Sequence, residues 1–384
     1  MKKIITLLIV FVILLSNSNV VHAQEKEDFD LAINDVILGI DDAEFEKITE
    51  LLNLELGKNF SLKEWILSFI SGEFTINFSD LKALFSSLYS EVISSVSHIV
   101  IYIIFIGILS SFLNVINSKN NGKNAKYIIY YICYTLIITL TAGLVSKVIS
   151  TAKNSIDDMC KTVDLCFPTL LALSEFSGGF GINVAKPLIA SVSFFTTVIC
   201  NKVFLPILSM TIVCVIVGNF SETVKLDSLK KTLLSLVKWL LGILTVVFTV
   251  VIAGQSIVNA QYSGMSFKVL KYATGSIIPI VGGFISGGLD VLFASAILVK
   301  NSLGLVLVIF IFFKVVSAGV TVLIVSFILK FAVSVSEPIL DGRFCKLLNG
   351  VGEVFSYLTA VIFVCGFSYI LVCFSIISST ALII

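Results

Sequence analysis

Four ionisable side chains interrupt long apolar runs in this sequence: Lys202, Asp290, Lys300 and Lys314. A charge held within hydrocarbon needs a counter-charge, backbone carbonyls or water, so such residues mark pathways or buried pairs. Three of the four lie in one stretch, Gln261 to Lys314, together with Gly275, Pro279, Gly282, Gly283, Gly287 and Gly288. Non-helical backbone at membrane depth is tolerated only where protein or a water-filled cavity satisfies its N–H and C=O groups. A Gly/Pro-interrupted apolar block with charges, here 273–304, therefore points to a broken helix along a path. In that reading Asp290 and Lys300 pair across a re-entrant turn, and Lys202 and Lys314 face the same water. A kinked helix packed through its small residues fits the same stretch, and its lysines then snorkel or pair.

Other chemistry is missing. Beyond the first 23 residues the sole histidine is His98, which excludes a histidine triad, a His-based metalloprotease site and a His-ligated zinc site. The glycine-rich runs SGGFG at 177–181 and VGGFISGG at 281–288 lack the GK[ST] of a phosphate-binding loop, and CxxC pairs are absent. Asp290 is the only acid in its apolar block, whereas an intramembrane aspartyl enzyme needs two facing carboxylates. No enzymatic activity, metal or cofactor is expected.

The elements that must position these residues are membrane helices. The chain is 57% hydrophobic and 13% charged, with a mean hydropathy of +1.05, far from the balance of soluble domains. Its formal net charge of +1 gives no electrostatic case for nucleic acid. Several runs approach the twenty or so apolar residues that cross hydrocarbon, so the expected fold is all-α, a polytopic helical membrane protein.

Residues 1–23 have the three parts of a cleaved signal peptide: Lys2 and Lys3, the apolar run Ile4 to Leu15, and Val21-His22-Ala23. Residues 24–91 read as an exported set of amphipathic helices. Asp41 with Glu44, and Ser61 with Glu64, fit the reciprocal cap of a helix start. Trp65, Ile66, Phe69 and Ile70 share an apolar face that a partner or a membrane would cover; a compact minidomain fits the segment equally well. None of the eight cysteines falls in this segment, so no disulfide framework holds it.

Residues 92–384 form the multi-span domain. His98 to Ile116 is a span, and Lys119, Lys123 and Lys126 after it mark a cytoplasmic loop. Tyr127 to Ser146 returns. Val148 to Phe167 reads as an amphipathic outer-face helix with Val148, Ala152, Ile156, Met159, Val163 and Phe167 on one side and Asp157–Lys161 as an i,i+4 pair. Pro168, SGGFG and Pro187 then divide short apolar pieces; one span with a re-entrant piece, or three short spans, fits. Ser221 to Lys238 is a lysine-rich inner-surface helix, and Trp239 to Val258 a span. Ser302 to Leu329 is tilted, kinked near Lys314 or split in two. Pro338 breaks the mixed-charge segment before the last span.

Together these features carry a resemblance. The signal peptide, FSLKEW (Phe60 to Trp65), Gln255, GSIIPIVG (Gly275 to Gly282) and SAILVKNSLG (Ser295 to Gly304) resemble the stage III sporulation protein AE family of endospore-forming bacteria. The similarity runs nearly end to end and is looser in the exported part. It implies a multi-pass protein of the mother-cell membrane around the forespore, with its mature N-terminus outside the cytoplasm. Its implied partners are other stage III sporulation proteins, namely ring-forming components and a cytoplasmic ATPase, besides the lipid bilayer. The implied role is a permease-like component of a mother cell–forespore channel complex needed for late forespore gene expression. A non-conducting assembly platform and a free-standing ion-coupled permease are the alternatives. The family supplies no catalytic residues to assign.

Overall fold

Backbone groups in lipid must be satisfied within the segment, and the sequence meets that demand with long helices. The computed structural model describes residues 66–68, 78–118, 123–176, 181–220, 226–277 and 282–377, and among these there is no strand. The helices are α1 (Phe78–Ser118), α2 (Lys123–Phe176), α3 (Gly181–Ile199), α4 (Leu205–Phe220), α5 (Asp227–Ile277), α6 (Gly282–Ser336) and α7 (Gly342–Ile377). A π-helical turn, Cys200–Phe204, joins α3 to α4 without a break. Among the described residues, six segments are long and apolar enough to cross a membrane: Val92–Leu113, Tyr131–Glu175, Ser191–Phe220, Asp227–Val251, Ala294–Ser336 and Gly342–Ile377.

Several expected boundaries move. Helix α2 runs 54 residues through Pro168, so the expected outer-face helix is the second half of one long helix. The shared face is as expected: Val148, Ala152, Ile156, Met159 and Val163 are buried and Phe167 packs against them. They bury against neighbouring helices rather than lying along a surface. Residues 181–220 form one continuous helical run that passes through Pro187 in the second turn of α3. Helix α6 continues unbroken past Lys314. Pro338 sits in the α6–α7 turn as expected, and Asp341 caps α7 by accepting a bond from the Arg343 backbone N–H at 3.0 Å.

Without a hydrophobic drive between helices in lipid, close packing and small residues decide the assembly. The α6–α7 hairpin shows this most clearly. A Cβ on Gly366 would overlap Val315, one on Gly319 would lie 2.9 Å from the Phe363 ring, and one on Gly352 would lie 3.1 Å from Lys330. The Ser326 hydroxyl donates to the Gly352 carbonyl at 2.6 Å. These pairs step in opposite directions along the two helices, so the seam is antiparallel and in constant register. Helix α1 lies parallel to α6: the Tyr89 hydroxyl is 3.5 Å from the Val316 carbonyl, and Gly107 receives the Leu340 side chain.

The remaining helices take their levels from polar and aromatic contacts. Tyr134 of α2 stacks on Phe344 of α7, with ring centroids 5.7 Å apart, and donates to the Ile216 carbonyl of α4 at 3.1 Å. Lys230 of α5 pairs with Glu353 of α7 at 2.5 Å. One end of the bundle is therefore built from the starts of α2, α5 and α7 and the ends of α4 and α6.

Candidate functional site

About 34 Å along α6 from the α6–α7 turn, taking 1.5 Å per residue, four elements converge on a polar layer. Helix α2 supplies Asp157, Asp158 and Cys160, the α3–π run supplies Thr197 and Asn201, α6 supplies Lys314 and α7 supplies Tyr369. The Lys314 ammonium donates to Asp158 Oδ2 at 3.2 Å. Asn201 Nδ2 donates to Asp157 Oδ1 at 2.6 Å, and Asn201 Oδ1 is buried with no protein partner. The Thr197 and Tyr369 hydroxyls are 2.5 Å apart, and Thr197 also reaches Cys160 Sγ at 3.0 Å.

The π-helical turn makes part of this geometry. A π turn inserts one residue per turn and rotates the side chains after it, and such turns recur at functional sites. Here it directs Asn201 toward α2 while leaving Lys202 exposed, so Lys202 stands apart from the layer. The aspartates divide the work: Asp158 balances a cation, and Asp157 is held by a neutral amide. The side chains of Lys314 and Asp158 keep 13% and 36% of their exposure, so the pair is only partly withdrawn from solvent. The layer can hold charge between apolar helices and link four of them at one level. Among the described residues no cluster of His, Cys, Asp or Glu is arranged to hold a metal ion.

Lys300 is placed differently. Its side chain is fully buried and its ammonium donates to the carbonyls of Ile376 and Ile377, each at 3.2 Å. Both carbonyls belong to the last described turn of α7. Lys300 thus ties α6 to the last described turn of α7. The expected partner, Asp290, lies on the same unbroken helix ten positions away, about 15 Å along its axis, so no re-entrant turn brings the two together.

The glycines of the central block are helical in backbone. Gly275 belongs to the last turns of α5, and Gly282, Gly283, Gly287 and Gly288 open α6. They do not form an unwound stretch. Pro279 lies outside the described residues, as do the surroundings of these glycines and of Asp290. Of the proposed contact face, Ile66 is buried in the core, which removes it from any outer surface. Trp65, Phe69 and Ile70 lie outside the described residues, as does the signal peptide.

Lys314 is conspicuous in the sequence but its partner Asp158 is not, and Asp157, expected to pair with Lys161, accepts a bond from Asn201. Two adjacent acids beside a buried stripe were the available signal. Asn201, Thr197 and Tyr369 had no signal in composition or spacing. The cysteines form no bridge: all eight are free.

A family model described as stage III sporulation protein AE matches residues 60–380. The stage III sporulation protein AE of Bacillus subtilis (strain 168) is 25% identical over 225 residues, covering 58% of this chain and 56% of that relative. The match thus spans little more than half the length of the curated relative. No solved structure matches the chain.

Proposed function

We propose a function from one premise: the chain belongs to the stage III sporulation protein AE family, whose model matches residues 60–380. It is a multi-pass sporulation membrane protein, with six apolar segments able to cross a bilayer. Within that description, our reading is an integral component of a channel complex between mother cell and forespore, working beside ring-forming proteins and a cytoplasmic ATPase. It resides in the mother-cell membrane facing the forespore, with its mature N-terminus outside the cytoplasm.

The observation that carries this reading is the polar layer. A purely structural bundle in lipid gains little from ionisable groups between its helices, since each must be desolvated and then repaid by a partner. Here an ion pair, an aspartate–amide contact and a Thr–Tyr pair occupy one level of four packed elements. That arrangement supports a membrane domain handling charged or hydrated species. The buried Lys300 favours the second reading, an assembly platform, because its contacts tie two helices together and need no path.

Replacing the chain by a tagged copy in sporulating cells tests the proposal. The tagged protein should surround the forespore, co-isolate with ring and ATPase proteins, and be needed for a late forespore reporter. Uniform distribution over the cell membrane, with full reporter expression after depletion, would overturn it. Asp158→Asn with Lys314→Met separates channel from platform: at normal complex recovery, unchanged reporter expression favours the platform.

A further inference from the structure

The outward face of α2 differs from every other spanning helix. Large apolar side chains are exposed on α1 (Ile101, Phe105), on the α3–α4 run (Phe194, Met210, Val213), on α5 (Val246, Val250), on α6 (Leu323, Phe327) and on α7 (Phe367, Phe374). That is what a lipid-facing surface requires. On α2 such residues stop at Leu136. Beyond it the exposed face carries Thr139, Ser146, Lys147, Ser150, Lys153 and Asn154.

This polar face lies at the level of its neighbours' apolar belt. Tyr134 is bonded to Ile216, and Asp157 to Asn201, so α2 between 134 and 157 runs beside 201–216 in the opposite direction. Met210 and Val213 fall inside that interval and are more than half exposed, at 53% and 56%. The same interval on α6 lies between Lys314, held by Asp158, and the α6–α7 turn beside Phe344 and Tyr134, and it includes Leu323 and Phe327. A membrane that covers Met210, Val213 and Leu323 would therefore also cover Lys147, Ser150 and Lys153. Exposed lysines at hydrocarbon depth are expensive unless water reaches them.

We propose that the outward face of α2 lines an aqueous path closed by further copies of this chain, and that its lysines make the path selective for small anionic solutes. The inference rests on the channel reading above and names the wall of that channel. Copies are implied because a polar face on the bundle's perimeter is shielded from lipid only by more protein, and cyclic assembly turns the same face of each copy to a common axis. Water fills the centre because Lys147 and Lys153 of facing copies repel in a dry contact. The exposed residues from Thr139 to Asn154 include no acid, so the wall is cationic, as in pores that pass anions.

The test uses the full chain in sporulating cells with Ser150→Cys in a background lacking the native cysteines. Where that background fails to accumulate, the native one serves, since only Cys160 and Cys345 of the eight thiols are not buried. Two membrane-impermeant reagents are applied, anionic 2-sulfonatoethyl methanethiosulfonate and its cationic trimethylammonium analogue. Ser150→Cys is modified, Val213→Cys and Leu323→Cys are not, and the anionic reagent is favoured about tenfold after correction for its rate on a free thiol. Lys147→Glu with Lys153→Glu lowers that preference about tenfold or more. A bismaleimide joins Ser150→Cys chains to one another.

Protection of Ser150→Cys from both charged reagents, while a permeant maleimide reaches it, overturns the aqueous face. Equal modification of Val213→Cys does the same. An unchanged preference in the double Glu variant overturns the selectivity, and linkage solely to other proteins overturns the role of copies. Partner co-isolation is scored in the same cells. An intact complex with Ser150→Cys protected defeats this inference alone; labelled Ser150→Cys with no partner recovered defeats the channel-complex reading instead.

Discussion

Lys314 of α6 and Asp158 of α2 meet at 3.2 Å across a boundary whose buried members include Ile156, Met159, Ile311 and Val315. Removing one partner leaves the other charged and only partly hydrated. Removing both deletes the problem. Lys314→Met or Asp158→Leu alone should therefore destabilise the protein by about 1–3 kcal/mol, less than a fully buried pair because Asp158 keeps part of its exposure. The double variant should recover most of that loss. Thermal unfolding of the detergent-solubilised protein, read as a double-mutant cycle, checks this; additive losses would mean that the two charges are not coupled.

Lys300 offers a different outcome. Its bonds to the Ile376 and Ile377 carbonyls predict that Lys300→Met loosens this turn of α7, while Lys300→Arg, which keeps donors and charge, retains most of the protection. Asp290→Asn should change nothing there, since Asp290 does not reach Lys300 on a continuous helix. Hydrogen exchange of amides near Ile376 reads the effect directly. Equal protection in wild type and Lys300→Met would show that the contact contributes nothing.

Gly366 is the tightest point of the α6–α7 seam, where any Cβ would overlap Val315. Gly366→Ala gains roughly 1 kcal/mol of helix propensity but meets an overpacking cost of about 1–3 kcal/mol. The net effect should be a lower unfolding temperature. Adding Val315→Ala opens the space and should restore or exceed the wild-type value. If Gly366→Ala alone is as stable as wild type, the seam is looser than its geometry implies.

Topology can be settled with reporters. By charge bias, the lysines at 119, 123 and 126 lead us to expect the α1–α2 connection in the cytoplasm. The α4–α5 and α6–α7 connections should share that side, because the ends of α4 and α6 and the starts of α5 and α7 adjoin the start of α2. A cytoplasm-dependent reporter inserted after Asn121, after Glu222 or after Glu337 should be active in all three cases. Activity at one site with silence at another would contradict the up-and-down bundle.

The sequence by itself determined the class of this protein and much of its local detail. Apolar runs of span length, with few charges, leave helices as the structure that satisfies the backbone in lipid. The buried stripe from Val148 to Val163 was legible because helical periodicity survives whatever packs against it, and Pro338 marked a turn because it cannot continue a helix. Lys314 was conspicuous as a charge in an apolar run. Partners were another matter. Asp158 is 156 positions from Lys314 in the chain, Tyr369 is 172 from Thr197, and Lys300 bonds to backbone carbonyls, which carry no residue signature. The polar face of α2 was likewise hidden, because serine and lysine on a long helix are ordinary until the levels of neighbouring helices are known. Contacts between distant helices depend on rotation and axial register, and those are set by where glycines allow close approach and where side chains collide. Only the tertiary structure decides them, because in lipid many packings bury the same apolar area and only shape and polar pairing distinguish among them.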